Sequence, residues 1–436
     1  MAGTIIESQL IARPSSAIRF ALATKDDDSA IRRLLRDNPM PGEISISFQR
    51  EPNYFHGTQI AGAEDQTILA FQKNRLVCVG RCSFRDRCVN GAIRRVGYLS
   101  DLRLDSSVQG RFDILRRGYQ FFRELQLDNP ADFYFTSISA ENARSIRFLE
   151  RGLPGMPRYE RLADFVTLLI PVPRRARQLK QLREKASSRL KSANIEVVAG
   201  SDRHIYALVD VLNSQAKRFN LSATWSDEQI SAMQQHGLDL PQFSMFARSG
   251  KIVGCAALWD QRSFKQTVIR GYSRRLSLLR PLLNLGADVF GSTRLPPAGS
   301  ALAHGFLSPL AVPLDDQPAL RAMVESSLLA AASRRLEYLT LGFAATDPRL
   351  AVVRNHFPCR EYRNHLFQVR WSDGGRISHS IHEPMRSSVV TNHRRTILPG
   401  GRGANRPAGE GRGEGDLSAA EITLNKNLIF PEVALL

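Results

Sequence analysis

The turn Gln109-Gly110-Arg111 follows an apolar strand pattern ending at Leu104 and falls at the start of a helical pattern over Val108 to Leu127. A helix start offers unpaired backbone N–H groups and a partial positive charge. The glycine clears the approach and the arginine adds charge, so the turn suits an anionic group. A later turn, Leu314-Asp315-Asp316-Gln317-Pro318, has two carboxylates and no glycine. It reads as a helix start whose acidic residues complement the dipole. His204, His236, His304 and His365 are scattered, in no His-x-x-x-His or Ser/His/Asp order. The five cysteines, Cys78, Cys82, Cys88, Cys255 and Cys359, contain no Cys-x-x-Cys. They read as reduced residues, Cys78 as a core hydrophobe, and no metal site is expected.

Regular elements must hold these residues in place. Ile18 to Leu22 alternates as a strand, and Thr24 with Asp26, Asp27 and Asp28 marks a helix start. Thr67 to Gln72 and Arg75 to Phe84 predict a hairpin turning at Lys73-Asn74. Further strands are expected at Val96 to Leu104, Asp132 to Ile138 and Phe165 to Ile170, with a helix over Asn142 to Arg151. The second half predicts Leu310 to Val312 and Tyr338 to Ala344 as strands and Ala319 to Arg334 as a helix.

The 436 residues carry a net charge of +18, which favours acidic partners. Residues 173–191 hold eight basic residues against one acidic, with Leu179, Leu182, Ala186 and Leu190 on one helical face. This basic amphipathic helix reads as a strut between domains, or as a contact for an anionic surface or RNA. Residues 373–436 are near neutral and glycine-rich from Gly400 to Gly415, which predicts a disordered tail. Leu424 to Phe430 is apolar enough to dock. The start lacks a secretory leader's apolar run, and no transmembrane run occurs, so a cytoplasmic location is expected.

The two halves repeat. Phe71 to Gly80 and Phe246 to Gly254 both read strand, tight turn, basic residue, apolar strand and glycine. Pro157 to Leu168 and Pro358 to Val369 each run from Pro through Arg and Tyr to a strand containing Phe. The expected division is 17–172, a linker helix 173–194, a second unit 195–372 and the tail 373–436.

In this order of elements the sequence resembles the GNAT superfamily of N-acetyltransferases, over about residues 17–170 and more weakly 195–371. Leu102 to Arg111 looks like the family's fourth strand and acyl-CoA pyrophosphate loop, and Asn142 to Gly152 is similar to its later Asn-to-Gly segment. The resemblance implies an α/β (α+β) fold of two GNAT-like domains, each a twisted mixed sheet flanked by helices. It implies acetyl-CoA or another acyl-CoA as co-substrate, held by Leu102, Leu104, Gln109, Gly110, Arg111 and Asn142. Phe112 and Ile114 replace the family's small loop residues, and Leu149 stands where many members have a tyrosine acid.

An alkylamine is protonated at neutral pH, so acylating it calls for a base. The resemblance implies a carboxylate on or near the fourth strand as that base, here Asp101, with Tyr98 nearby and Tyr159 a substitute acid. The acceptor would be a small-molecule or peptide amine. The second half is expected to bind no acyl-CoA and to wall the substrate cleft. Two other functions fit the same pattern: a binding or regulatory protein that lost the chemistry, and a Fem-like transferase using aminoacyl-tRNA.

Overall fold

The computed structural model describes residues 18–371, apart from 63 and 291–293, together with Leu424 and residues 428–432. The first half runs β1 (Ile18–Leu22), α1 (Asp28–Asp37), β2 (Ile44–Gln49), α2 (Thr58–Ala61), β3 (Glu64–Gln72), β4 (Arg75–Val89) and β5 (Ala92–Leu104). It continues with α3 (Phe112–Leu125), β6 (Phe133–Ser139), α4 (Ala143–Glu150) and β7 (Arg158–Pro171). Helix α5 (Ala176–Ser192) follows. The second half runs β8 (Glu196–Ala199), α6 (Ile205–Ala216), β9 (Ser222–Ala223), α7 (Asp227–Met233), β10 (Phe243–Arg248) and β11 (Lys251–Trp259). It ends with β12 (Gln266–Tyr272), α8 (Arg274–Phe290), β13 (His304–Ala311), α9 (Gln317–Ser333), β14 (Tyr338–Ala344), α10 (Pro348–His356) and β15 (Arg360–Arg370).

Local chemistry sets these elements. Thr24 and Asp27 form a reciprocal cap before α1, with the Asp27 carboxylate accepting from Thr24 N at 2.8 Å. Ile31, Leu34 and Leu35 of α1 are buried. Lys73 takes a left-handed φ of 56° in the β3–β4 turn. The Asn142 side chain caps α4 by accepting from Ser145 N at 3.3 Å. Strand β7 starts at Arg158, earlier than the apolar run from Phe165 predicts, because its first residues pair with β15.

The structure is a mixed sheet flanked by helices, as the sequence predicts. One sheet crosses both halves, however, where the sequence gives each half its own. Its order is β1-β3-β4-β5-β6-β15-β7-β14-β13-β11-β10-β8, with β9 beside β4. The join is an exchange of last strands. Strand β15 pairs with β6, and β7 pairs with β14, both antiparallel. Val166, Leu168 and Ile170 therefore pack with Leu339, Leu341 and Phe343 of the second half. Phe367 and Val369 pack with Phe122, Ile146 and Leu149 of the first. Sequence periodicity fixes which face of a strand is apolar but not which half receives it.

Helix α5, close to its expected span, packs on α9, where Arg189 pairs with Glu325 at 2.9 Å. Strands β2 and β12 form a separate antiparallel ribbon joining the halves. The expectation of disorder across residues 373–423 lies outside the described residues. Residues 428–432, at the end of the apolar stretch Leu424 to Phe430 expected to dock, are packed on the fold. Asn220 N donates to Leu428 O at 2.7 Å and Phe430 N to Asn220 O at 2.9 Å, and Ile429, Phe430 and Glu432 are buried. The apolar pair Ile429-Phe430 repays the ordering of this short segment.

Candidate active site

Strands β5 and β6 pair in parallel from Val96–Phe133 to Leu99–Thr136 and then diverge, though β5 runs on to Leu104 and β6 to Ser139. The Thr136 hydroxyl closes the vertex by donating to Leu99 O at 2.7 Å. Past the vertex, the register of β4 against β5 shifts between Val79 and Arg81, and Asp101 takes a positive φ of 54°. An irregularity of this kind re-aims side chains. The divergent strands open into a cavity of about 620 Å³. It is lined from both halves, and the β2–β12 ribbon contributes Ile44, Ile46, Thr267 and Ile269.

One part of the lining is strongly charged. The Arg50 guanidinium meets both Asp101 oxygens, at 3.4 and 3.2 Å, and Tyr54 donates its hydroxyl to Asp101 at 3.4 Å. Arg81 lies 4.0 Å from Asp101, pairs with Asp65 and donates to Thr58 O at 2.8 Å. Burial alone would raise the Asp101 carboxyl, but Arg50, Arg81 and Arg103 outweigh it and hold it below the usual carboxylate range. Asp101 is thus an ion-paired anion. Lys265, on the loop before β12, lines the same cavity. Burial and the charge of Arg50 bring its ammonium down to about 7, against the pull of Asp101. His304 donates to or accepts from the Thr340 hydroxyl at 3.0 Å, and burial drops its ring to about 4.

Another part of the lining is apolar. Phe20, Ile68, Ala70, Ile114, Leu115 and Phe122 form a limb between the sheet and α3. Gly118 of α3 faces this limb, and a Cβ there would meet only the Phe20 ring, at 3.4 Å. Tyr159 lines the cavity near Leu149 and is hydrogen-bonded to the Tyr119 hydroxyl. Burial raises the Tyr119 hydroxyl to about 12 and also pushes up the Tyr98 and Tyr159 hydroxyls. All three stay protonated. The Tyr98 ring centroid lies 4.9 Å from that of Phe135.

The cavity therefore gathers Tyr98, Asp101, Leu102, Asn142 and Tyr159, while Leu104, Gln109, Gly110 and Arg111 are outside its lining. At the turn, Gly110 has a φ of 86° and open space where a Cβ would stand. Phe112 stacks on Phe148 with centroids 4.5 Å apart, which carries its ring onto α4. Arg111 forks onto Asp113 at 2.7 and 2.6 Å, so its charge is partly neutralised. In the second half, Asp316 caps α9 by accepting from Ala319 N at 3.0 Å and pairs with Arg248 at 2.9 Å.

Sequence reasoning misses Lys265, Arg50 and Arg81. Arg81 carries a signal, a lone cation in the apolar run Leu76 to Phe84. Lys265 sits in the loop Asp260-Gln261-Arg262-Ser263-Phe264-Lys265, whose charges resemble any solvated turn. Among the described residues, no group of three or more His, Cys, Asp or Glu is placed to hold a metal ion.

No protein-family model matches the chain, and no curated protein sequence matches it. Among solved structures it is similar to Saccharomyces cerevisiae N-myristoyltransferase with bound myristoyl-CoA. The TM-score is 0.52 at 10% identity, covering 83% of this chain and 81% of that one. A structure of the same yeast enzyme with bound myristoyl-CoA and inhibitors gives 0.51 at 11% identity, covering 82% and 80%. A GCN5-related N-acetyltransferase from Sphaerobacter thermophilus gives 0.45 at 12% identity, covering 80% and 95%. At such identities the likeness is one of fold, shared with the yeast N-myristoyltransferase structures.

Proposed function

We propose that this chain is an N-acyltransferase of the GNAT fold that carries an acyl group from an acyl-CoA to an amine acceptor. The observation that carries the reading is a single cavity joining the β5–β6 divergence, an apolar limb and the Lys265 ammonium. Its volume of about 620 Å³ suits a small-molecule site. The pantetheine arm would lie along Leu102, with the pyrophosphate toward Gly110 and Arg111. The apolar limb favours an acyl chain longer than acetyl. The acceptor would reach the thioester from the side lined by β12, β13 and β14.

Lys265 is the base of this proposal. Asp101 is held ionised by its arginines and is a weak proton acceptor, whereas an amine near pH 7 is matched to the task. The neutral Lys265 Nζ takes a proton from the acceptor ammonium. The freed amine lone pair attacks the thioester carbonyl, the C–N bond forms and the C–S bond breaks. A thiol has a pKa of about 8.5, above that of Lys265, so the thiolate can take the proton held on Lys265. The second proton on the acylated nitrogen passes to the freed Lys265 amine and then to solvent. The products are an amide and free CoA. Tyr98 and Tyr159 hold their protons too tightly to give them to a thiolate, and act here as hydrogen-bond donors.

A second reading, a binding protein without turnover, is favoured by the Arg111–Asp113 pair, which leaves the turn little charge for a pyrophosphate. Calorimetric titration with acetyl-CoA and dodecanoyl-CoA, followed by thiol release with an amine panel, separates the two. Turnover should exceed that of Lys265→Met by about 10²- to 10⁴-fold. Because the base works unprotonated, kcat/KM should rise about tenfold per pH unit below 7 and level off above it. Acyl-CoA binding without thiol release would favour the second reading. No binding at millimolar acyl-CoA would remove the first.

A further inference from the structure

Helix α8 inverts the usual arrangement of a surface helix. Its outward residues are large and apolar: Leu278 is 82% exposed, Leu282 67%, Leu285 62% and Val289 61%. These four recur at helical spacing, and Leu279 and Leu283 widen the stripe. The inward contacts are polar. Arg280 Nε and Asn284 Nδ2 each donate to Leu295 O at 3.2 Å, and Leu295 N donates to Asn284 Oδ1 at 2.7 Å. Arg280 also stacks over Tyr272. A contiguous apolar face of this kind marks an interaction surface.

The charges around it say what covers it. The one carboxylate of α8 is Asp288, in its last turn, while Arg270 on β12 and Arg274 and Arg275 at the start of the helix are exposed. At the other end Arg175 donates to Val289 O at 2.9 Å. This brings in the basic start of α5, where Arg175 and Arg177 are exposed and Arg174, also exposed, pairs with Glu337 at 2.5 Å. An apolar stripe with arginines at both ends complements acyl chains beneath anionic headgroups. A protein groove would gain nothing from cations at both ends unless it were itself acidic there. Among the described residues no helix is long and apolar enough to cross a membrane, so α8 would lie on the surface.

We propose that α8 is an in-plane anchor that docks the chain on an anionic lipid surface. The helix follows directly on β12, and its partners Tyr272 and Leu295 line the cavity, as does Pro296, whose carbonyl accepts from the Tyr272 hydroxyl. Docking would set that wall of the cavity against the bilayer, where an acyl donor or a lipidic amine is concentrated.

The test is flotation of the full chain with vesicles and needs no turnover, so its outcome is separate from the acyltransferase reading. The chain should float with mixed phosphatidylcholine–phosphatidylglycerol vesicles, less with phosphatidylcholine alone and less at high salt. Leu278→Glu with Leu282→Glu should weaken binding by about tenfold or more, since both leucines lose their burial in lipid. Arg274→Gln with Arg275→Gln, which leaves the apolar stripe intact, should weaken it only on anionic vesicles. The proposal is overturned if the wild-type chain stays off mixed vesicles or if the leucine variant floats as the wild type does. It is also overturned if the chain ignores vesicles but is a dimer that the leucine variant dissolves, which would mean that a second copy covers α8.

Discussion

The sheet splays twice, and the two openings are treated differently. Strands β5 and β6 part after Leu99–Thr136, and β13 and β14 part after Phe306–Thr340. The first opening leads into the cavity. The second is filled by the chain's own tail. Phe430 packs on Phe343 of β14, on Phe219 and over Arg349. Glu432 accepts from the Ser308 hydroxyl at 2.7 Å and from Leu310 N at 3.4 Å on β13. A splayed parallel pair leaves backbone polar groups that need partners. One splayed pair is closed by side chains, and the other opens into the cavity. The fold supplies an opening; the residues around it decide whether it is a site.

The strongest way to break this comparison is to remove the plug. Phe430→Ala takes a buried ring from the second opening and should destabilise the protein by about 3–5 kcal/mol. The melting temperature should fall by roughly 5 °C or more. The first opening depends on no such plug, so acyl-CoA affinity should be unchanged at a temperature where the variant is folded. A variant that melts with the wild type would show that the tail segment is a surface attachment and that the two openings do not differ in this way.

Filling the first opening gives a smaller effect. Gly118→Leu projects a side chain into the apolar limb, where only the Phe20 ring is near. It should weaken dodecanoyl-CoA binding by about tenfold or more, at about 0.8 kcal/mol per methylene displaced, and leave free CoA unaffected. Calorimetry on the two ligands reads this directly. Equal losses for both would move the acyl chain out of the limb.

Much of this comparison is legible in the sequence, and the rest is not for definite reasons. The caps at Thr24 and Asn142, the Lys73-Asn74 turn and the acidic start at Asp315-Asp316 are local, and local chemistry places them. The exchange of β7 and β15 is invisible, because either half's core accepts the same alternating apolar residues. Asp101 is a carboxylate on a strand in the sequence. Its role changes once Arg50 and Arg81, 51 and 20 positions upstream, fold onto it. Lys265 comes from the other half altogether, and only burial beside Arg50 sets its ammonium apart. The exposed leucines of α8 follow an ordinary helical period, so that pattern alone does not say which face is buried.

The two turns provide the finest contrast, and the smallest effects. Gly110→Glu places a carboxylate and a side chain in the turn proposed to hold the pyrophosphate. Acyl-CoA affinity should fall about tenfold, the worth of one charge-assisted contact. The φ of 86° makes any side chain there strained, so Gly110→Asn, a residue that tolerates left-handed backbone, serves as the control. It should keep most of the affinity. Asp316→Ala is the matching change in the second half. It removes the cap on Ala319 N and the partner of Arg248, and should lower stability by about 1 kcal/mol. Its acyl-CoA affinity should stay at the wild-type value, because there the turn's charge serves the helix and not a ligand. Thermal melts and calorimetry on the same three variants read both quantities. If Asp316→Ala changed acyl-CoA affinity and Gly110→Glu did not, the roles assigned to the two turns would be reversed.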